Sequence, residues 1–152
     1  MTANIDLKGR QSAGTIAMTP IVKRVALVLV FLWFMIGGVA HFALTDVEMR
    51  IVPPSIPWPR AAVLLSGVFE LLGAAGILIP LTRRAAGIGL FLLTIAVTPA
   101  NVYMLQHAEL FHVARWALIV RLPFQAVLLA VIIWSTWSPV KRTQVLASRS
   151  PR

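Results

Sequence analysis

Four apolar stretches, each long enough to cross a membrane, constrain this chain more than any other feature. The hydrocarbon core of a bilayer is about 30 Å thick, and a helix needs about 20 mostly apolar residues to cross it. The stretches cover residues 25–44, 61–81, 85–105 and 117–137. The sequence therefore predicts an all-α, polytopic membrane protein built as a bundle of four transmembrane helices.

Composition agrees with a membrane protein and excludes several other classes. The 152 residues are 59% hydrophobic and only 12% charged, whereas soluble domains are about a quarter charged. The net charge of +9 comes from residues that flank the apolar stretches, so no nucleic-acid partner is expected. The absence of cysteine excludes disulfides and thiol redox chemistry. His107 and His112 are poorly spaced for one helix face, and no metal site is predicted.

The first stretch raises the alternative of a cleaved signal peptide, since Lys23 and Arg24 precede it. Its apolar run is longer than a signal peptide needs, and no small-residue cleavage motif follows it. The first span is therefore expected to remain in the protein.

Basic residues gather next to one set of span ends, and this pattern predicts the orientation. Arg83 and Arg84 fill the tight turn between the second and third spans, whereas the loops on the opposite side are nearly balanced in charge. Cytoplasmic loops carry an excess of Lys and Arg. The expected topology is therefore N-in and C-in, in a bacterial inner membrane. The other basic residues on this side are Lys8, Arg10, Lys23, Arg24, Lys141, Arg142, Arg149 and Arg152.

The spans divide the chain into three parts. Residues 1–20 lack apolar periodicity and are predicted to be a disordered cytoplasmic N-terminus. Residues 21–139 are predicted to form the four-helix domain, and residues 140–152 a cytoplasmic tail.

The loop after the first span, TDVEMRIVPPSIPWPR, is rich in proline. Proline fixes φ and removes a backbone donor, so this loop is expected to be stiff. It could cover the outer mouth of the bundle, but a plain rigid linker is the favoured interpretation. Its prolines are Pro53, Pro54, Pro57 and Pro59.

Each span carries polar residues that lipid would reject. The helical repeat places them on faces that also carry small residues, which suit contact with other helices. These residues are Glu70 with Ser66, Gly67 and Gly73, His41 with Gly37 and Gly38, Asn101 with Gly87, Thr94 and Thr98, and Arg121 with Gln125 one turn later. The sequence thus predicts that the polar faces meet inside the bundle.

The positions of the polar residues along their helices predict that they lie at a similar depth in the membrane. The 1.5 Å rise per residue places Glu70 about 13 Å below the outer start of its span. His41, Asn101, Arg121 and Gln125 also fall in the outer half. Arg121 has a long side chain that can reach inward, so it is the expected partner of Glu70. Pro99 is expected to bend the third span just before this level.

Two interpretations of this cluster stay open. An ionisable group inside a membrane is by default a candidate for a functional site. A buried Glu–Arg pair can instead fix the register of the helices with no chemistry of its own. The candidates for ligand binding or proton handling are Glu70, His41, Asn101, Arg121 and Gln125, with Ser66 and Thr98 in support.

Five segments of the chain together resemble the DoxX-like family of small four-helix membrane proteins. They read GGVAHF, IVPPSIPWP, SGVFELLGAAGILIPLTRRAAGIGL, TPANVYM and RLPFQAVLLAVIIW, from about residue 37 to residue 134. The resemblance implies a four-helix integral membrane protein near respiratory or thiol-redox systems. The family pattern falls on His41, Pro53, Pro54, Gly67, Glu70, Arg83, Pro99, Asn101, Arg121, Pro123 and Gln125. The cysteines of some relatives are absent, which argues against a thiol relay.

The sequence leaves two functions open. In the first, a quinone binds in the outer half, where Glu70 handles a proton, His41 donates or relays one, and Asn101, Gln125 and Arg121 hold the oxygens. The sequence has no haem-ligand pair, no flavin or dinucleotide motif and no covalent cofactor site, so an oxidoreductase partner would carry the electrons. In the second, the protein is a non-catalytic scaffold or assembly factor, and a homo-oligomer stays open. Transport is disfavoured because four helices without inverted repeats give little room for alternating access.

Overall fold

The computed structural model describes residues 3–111 and 113–137, with side chains from Ile21 onward. This part of the chain is helical and contains no strand, which confirms the all-α prediction. Two short 3-10 turns, Met49–Ile51 and Ala108–Leu110, lie in the loops. The helices are α1 (Ala3–Ala43), α2 (Thr45–Glu48), α3 (Pro59–Leu78), α4 (Arg83–Ala96), α5 (Thr98–Gln106) and α6 (Arg115–Thr136).

Four helical segments are long and apolar enough to cross a membrane, as predicted. They are Ile21–Ala43 in α1, Pro59–Leu78, Arg83–Gln106 across α4 and α5, and Arg115–Thr136. Each segment begins a few residues before its predicted start, because helices extend into flanking polar residues, and the second ends at Leu78 because Pro80 follows.

The ends of the chain are described only in part. Helix α1 includes residues 3–20, for which the sequence predicts disorder. A helix that is already nucleated extends into neighbouring residues at low cost, so an apolar repeat is not required there. The predicted cytoplasmic tail, residues 140–152, lies outside the described residues.

The third span is interrupted where Pro99 predicts a bend. Helix α4 ends at Ala96, Val97 forms a turn, and α5 begins at Thr98 with Pro99 in its first turn. Proline cannot donate to the carbonyl of Ile95, so the regular helical ladder stops here. The interruption turns polar groups of α4 and α5 toward α6.

The bundle has two distinct ends. We call the end formed by residues 44–58 and the α5–α6 connection the loop end, and the end formed by Lys23, the α3–α4 turn and Trp137 the basic end. Apolar side chains fill the basic half between the helices: Val30, Phe34, Ala74, Ile77, Leu90 and Ile132. Many large apolar side chains elsewhere point outward, as a lipid-facing surface requires.

Glycines allow α1 and α3 to approach closely. A methyl carbon built on Gly67 would lie 2.8 Å from the Cβ of His41 and 3.2 Å from the backbone oxygen of Gly38. Small residues of this kind let transmembrane helices pack backbone to backbone. This contact positions His41 of α1 beside the polar face of α3.

Candidate functional site

A cavity of about 430 Å³ occupies the loop half of the bundle. All four spans contribute to its walls, which are mostly apolar. Ligand pockets commonly have volumes of about 300 to 1,000 Å³ and a few polar groups among apolar ones. The polar side chains that line it are His41, Glu48, Ser66, Glu70, Thr94, Asn101, Arg121 and Gln125.

The proline-rich loop lines this cavity at the loop end of the bundle. Ile51, Val52, Pro53 and Ile56 line it directly. The loop then ends at Trp58, which has a left-handed backbone conformation with φ 58° immediately before the Pro59 that starts α3. The favoured interpretation as a plain linker was therefore wrong, because the loop folds back over the bundle and its apolar side chains close the cavity.

Glu70 pairs with His41 across the α1–α3 interface. The Nε2 atom of His41 lies 3.5 Å from Oε1 of Glu70, and the two side chains are only 17% and 13% exposed. The other polar atoms of the pair, Nδ1 of His41 and Oε2 of Glu70, are buried and have no hydrogen-bond partner within the described residues. Buried polar atoms are normally satisfied, so the pair carries a desolvation cost inside the bundle.

The predicted pairing of Glu70 with Arg121 was wrong. Arg121 lines the same cavity, but its Nη1 atom donates to the sulfur of Met104 at 3.4 Å, and the described residues give it no ion pair. The rise per residue predicts that the two residues lie at a similar depth. It does not specify which neighbouring helix each side chain faces. Glu70 faces α1, whereas Arg121 extends along α5.

Gln125 joins α6 to the interruption in the third span. Its Nε2 donates to the carbonyl oxygen of Thr94 at 2.7 Å and to the hydroxyl of Thr98 at 2.6 Å. Its Oε1 accepts from Nδ2 of Asn101 at 2.7 Å. The side chain is buried, and all its hydrogen-bonding groups are used within the protein. Gln125 therefore stabilises the bend that Pro99 produces.

The predicted site residues thus fall into two groups. His41, Glu70 and Arg121 line the cavity, and Asn101 lines it too and uses only one amide hydrogen within the described residues. Ser66 lines the cavity as well, whereas Thr98 acts through Gln125 and does not line it.

Three cavity residues were missed from the sequence. Glu48 follows His41 by seven residues, a helical spacing that could have indicated it. Trp33 and Phe124 pack together with ring centroids 4.8 Å apart. They are 51% and 42% exposed while also lining the cavity. They therefore stand between the cavity and the surrounding lipid, at the boundary between α1 and α6.

The donor set suits an organic ligand better than a metal. Among the described residues, no three of His, Cys, Asp and Glu come close enough together to hold a metal ion. A carboxylate oxygen, an imidazole nitrogen, a guanidinium and a carboxamide surround an otherwise apolar space. This arrangement can hold a flat, apolar molecule that carries oxygen substituents.

The comparisons with known proteins identify a family whose description names no function. A search of curated proteins and a search of solved structures both found no match. The family model DUF8561, described as a domain of unknown function, matches residues 27–137, and this range contains every cavity residue named above. The DoxX-like resemblance is not tested by this match and stays a prediction. Because the match covers more than half of the chain, the protein belongs to the DUF8561 family.

Proposed function

We propose that this protein is an integral membrane protein that binds a quinone or quinol in the cavity and serves a membrane redox system. The observation that carries the proposal is the pair of unpartnered atoms, Nδ1 of His41 and Oε2 of Glu70, in residues that line the cavity. Leaving such atoms unsatisfied costs about 1 to 3 kcal/mol each. Both atoms are inaccessible to solvent in this structure, so a ligand's oxygen substituents would satisfy them after the side chains rotate toward the cavity.

The reduced and oxidised forms of a quinone match the acceptor and the donor that the cavity offers. A quinol hydroxyl can donate to the Glu70 carboxylate, and a quinone carbonyl can accept from His41 when that nitrogen carries a proton. Arg121 and the free amide hydrogen of Asn101 offer donors on the other wall. The ring would pack among apolar side chains that include Trp33 and Phe124. The chain's own residues thus bind, orient and exchange protons with the ligand.

Electron transfer would need a partner. The sequence offers no flavin or dinucleotide motif and no trusted haem-ligand pair. An oxidoreductase partner would therefore supply or remove the electrons, in line with the DoxX-like resemblance, while this chain holds the ligand in the bilayer.

The proposed orientation places the basic end in the cytoplasm and the cavity in the outer half of a bacterial inner membrane. It is supported by the positions of the basic residues, because Lys23, Arg83 and Arg84 all lie at the basic end. Cytoplasmic ends of membrane proteins are enriched in such residues. Cysteine labelling tests the orientation cleanly, since the chain has no cysteine of its own.

The first experiment is mass spectrometry of quinones that co-purify with the protein in mild detergent. Wild type, Glu70→Gln and Glu109→Gln are compared, since Glu109 is exposed and does not line the cavity. We expect quinone on the wild type and on Glu109→Gln, and at least a tenfold loss on a folded Glu70→Gln. Equal quinone on all three, or none on the wild type, would overturn the proposal.

A second candidate is the non-catalytic scaffold. The complete use of Gln125 within the protein favours it, because part of the polar cluster has a purely structural role. A scaffold predicts that Glu70→Gln leaves the assembly of any partner complex unchanged, and that no quinone is retained by the wild type.

A further inference from the structure

Two cations from different helices converge on one tryptophan at the basic end. The guanidinium carbon of Arg84 lies 3.9 Å from the centroid of the Trp137 ring. From α1, Nζ of Lys23 donates to the backbone oxygen of Trp137 at 3.3 Å and lies 5.7 Å from the centroid of the Trp134 ring. Residues of α1 and α4 therefore bring two positive charges to the tryptophans at the end of α6.

The packing of α4 against α6 keeps this arrangement in place. A methyl carbon built on Gly87 would collide with the Thr136 side chain, so the two helices touch one turn from Arg84 and one residue from Trp137. Because this contact leaves no room for adjustment, the position of Arg84 relative to Trp137 is set by the backbone.

The cations retain unused donors. Arg84 stacks on the indole face and makes no hydrogen bond within the described residues, so its N–H groups remain available. Lys23 uses one of its three donors. A planar guanidinium that is positioned but not paired is well suited to a phosphate group.

Among the side chains that the structure describes, from Ile21 to Trp137, no carboxylate is paired with Lys23 or Arg84. The sequence places ten of its 14 Lys and Arg residues on this side of the spans, but only one of its five acidic residues, Asp6. The described acidic residues, Asp46, Glu48, Glu70 and Glu109, belong to the loop half. The described part of the bundle therefore supplies no counter-charge to these two cations.

We propose that Lys23 and Arg84 form a binding site for the phosphate of an anionic phospholipid at the basic end. Trp134 and Trp137 are each about half exposed, as is usual for tryptophans at the level of lipid headgroups. A lipid held here would keep its acyl chains along the apolar surface of α4 and α6. The site is separate from the cavity and does not depend on the quinone proposal.

Native mass spectrometry of the full chain from mixed micelles tests this site. Protein is exposed to equal amounts of phosphatidylglycerol and phosphatidylcholine, and bound lipid is counted for wild type, for Lys23→Gln/Arg84→Gln and for Arg50→Gln/Arg60→Gln. The last variant removes the same charge at the loop end. We expect wild type to prefer phosphatidylglycerol by about thirtyfold, as two basic side chains near a charged surface allow.

The double variant at the basic end should lose most of this preference, and the loop-end variant should keep it. Arg84→Lys, which retains the charge but loses the planar stacked guanidinium, should keep a preference between those of wild type and the double variant, and it shows whether loss follows from charge or from misfolding. An unchanged preference in Lys23→Gln/Arg84→Gln, or an equal loss in both double variants, overturns the site. Inorganic phosphate added to the same mixed micelles is the last arm: if it displaces phosphatidylglycerol at millimolar concentration, the site takes a free anion and the lipid assignment is wrong.

Discussion

Gly37 of α1 lies directly against the carboxylate of Glu70: a methyl carbon built on Gly37 would be 2.6 Å from Oε2. The oxygen concerned is the one without a hydrogen-bond partner. The glycine therefore provides the space in which this oxygen sits. His41 follows Gly37 by one helical turn, so α1 supplies both the partner of the carboxylate and the room for it.

Gly37→Ala should displace the carboxylate and impair ligand binding. The atom in the way is the end of a flexible side chain, so it can rotate at small cost, and we expect the free energy of unfolding to fall by less than about 1 kcal/mol. Quinone retained during purification should fall at least fivefold. Retention equal to wild type in this variant would mean that the position of Oε2 is unimportant for binding.

Gly67→Ala should be much more damaging to stability. Its methyl group would meet the Cβ of His41 and the backbone of Gly38, neither of which can move without separating the helices. We expect a loss of about 1 to 3 kcal/mol in unfolding experiments in mixed micelles. Gly89→Ala is the control, since nothing lies within 4 Å of the added carbon, and it should be neutral or slightly stabilising.

Double-mutant cycles should separate the observed partner of Glu70 from the predicted one. Glu70→Gln combined with His41→Ala should show a coupling of about 0.5 to 1.5 kcal/mol in unfolding free energy, because the pair is in contact. Glu70→Gln combined with Arg121→Gln should be additive within about 0.5 kcal/mol, since no ion pair joins them. The reverse result would show that Arg121 turns inward in the membrane.

Gln125→Met should destabilise the interruption between α4 and α5. The substitution keeps the volume but leaves the carbonyl of Thr94 without its donor from α6. We expect a loss of about 1 to 3 kcal/mol, measured as a fall in unfolding free energy. Gln106→Met, at an exposed position with no side-chain hydrogen bond, should change stability by less than about 0.5 kcal/mol.

Trp33 should report on cavity occupancy. Trp33 alone among the tryptophans lines the cavity, as far as the described residues show. A bound quinone would quench its fluorescence, so titration should give a saturable decrease in wild type that is reduced by at least half in Trp33→Phe. Trp116→Phe, which changes an exposed residue away from the cavity, should leave the saturable decrease intact.

The sequence predicts the four spans and the depth of the polar residues along them. It does not predict which neighbouring helix each polar side chain faces. Length and hydropathy are sufficient for four spans, and Pro99 marks the interruption because a missing donor has a local effect. Partner choice depends on side-chain rotation and on which helices touch. The glycines beside His41 indicated a close contact for α1, but not that α3 would be the neighbour. This is why Arg121 was assigned to Glu70 in place of His41.

The loop could not be positioned from the sequence for a related reason. Its prolines indicate stiffness, but stiffness does not specify a direction. The apolar residues Ile51, Val52 and Ile56 are separated by no regular period, so no face was visible. Only the cavity beneath them explains why these side chains turn inward.

The covering of the cavity by the proline-rich loop also changes how a ligand would be supplied. The loop lines one side of the cavity, and Trp33 and Phe124 line another at the boundary between α1 and α6. A ligand that enters there comes from the bilayer, where it diffuses in two dimensions. Occupancy would then follow the mole fraction of ligand in the bilayer, so adding empty lipid at constant total ligand should dilute the protein's occupancy even when the aqueous volume is unchanged.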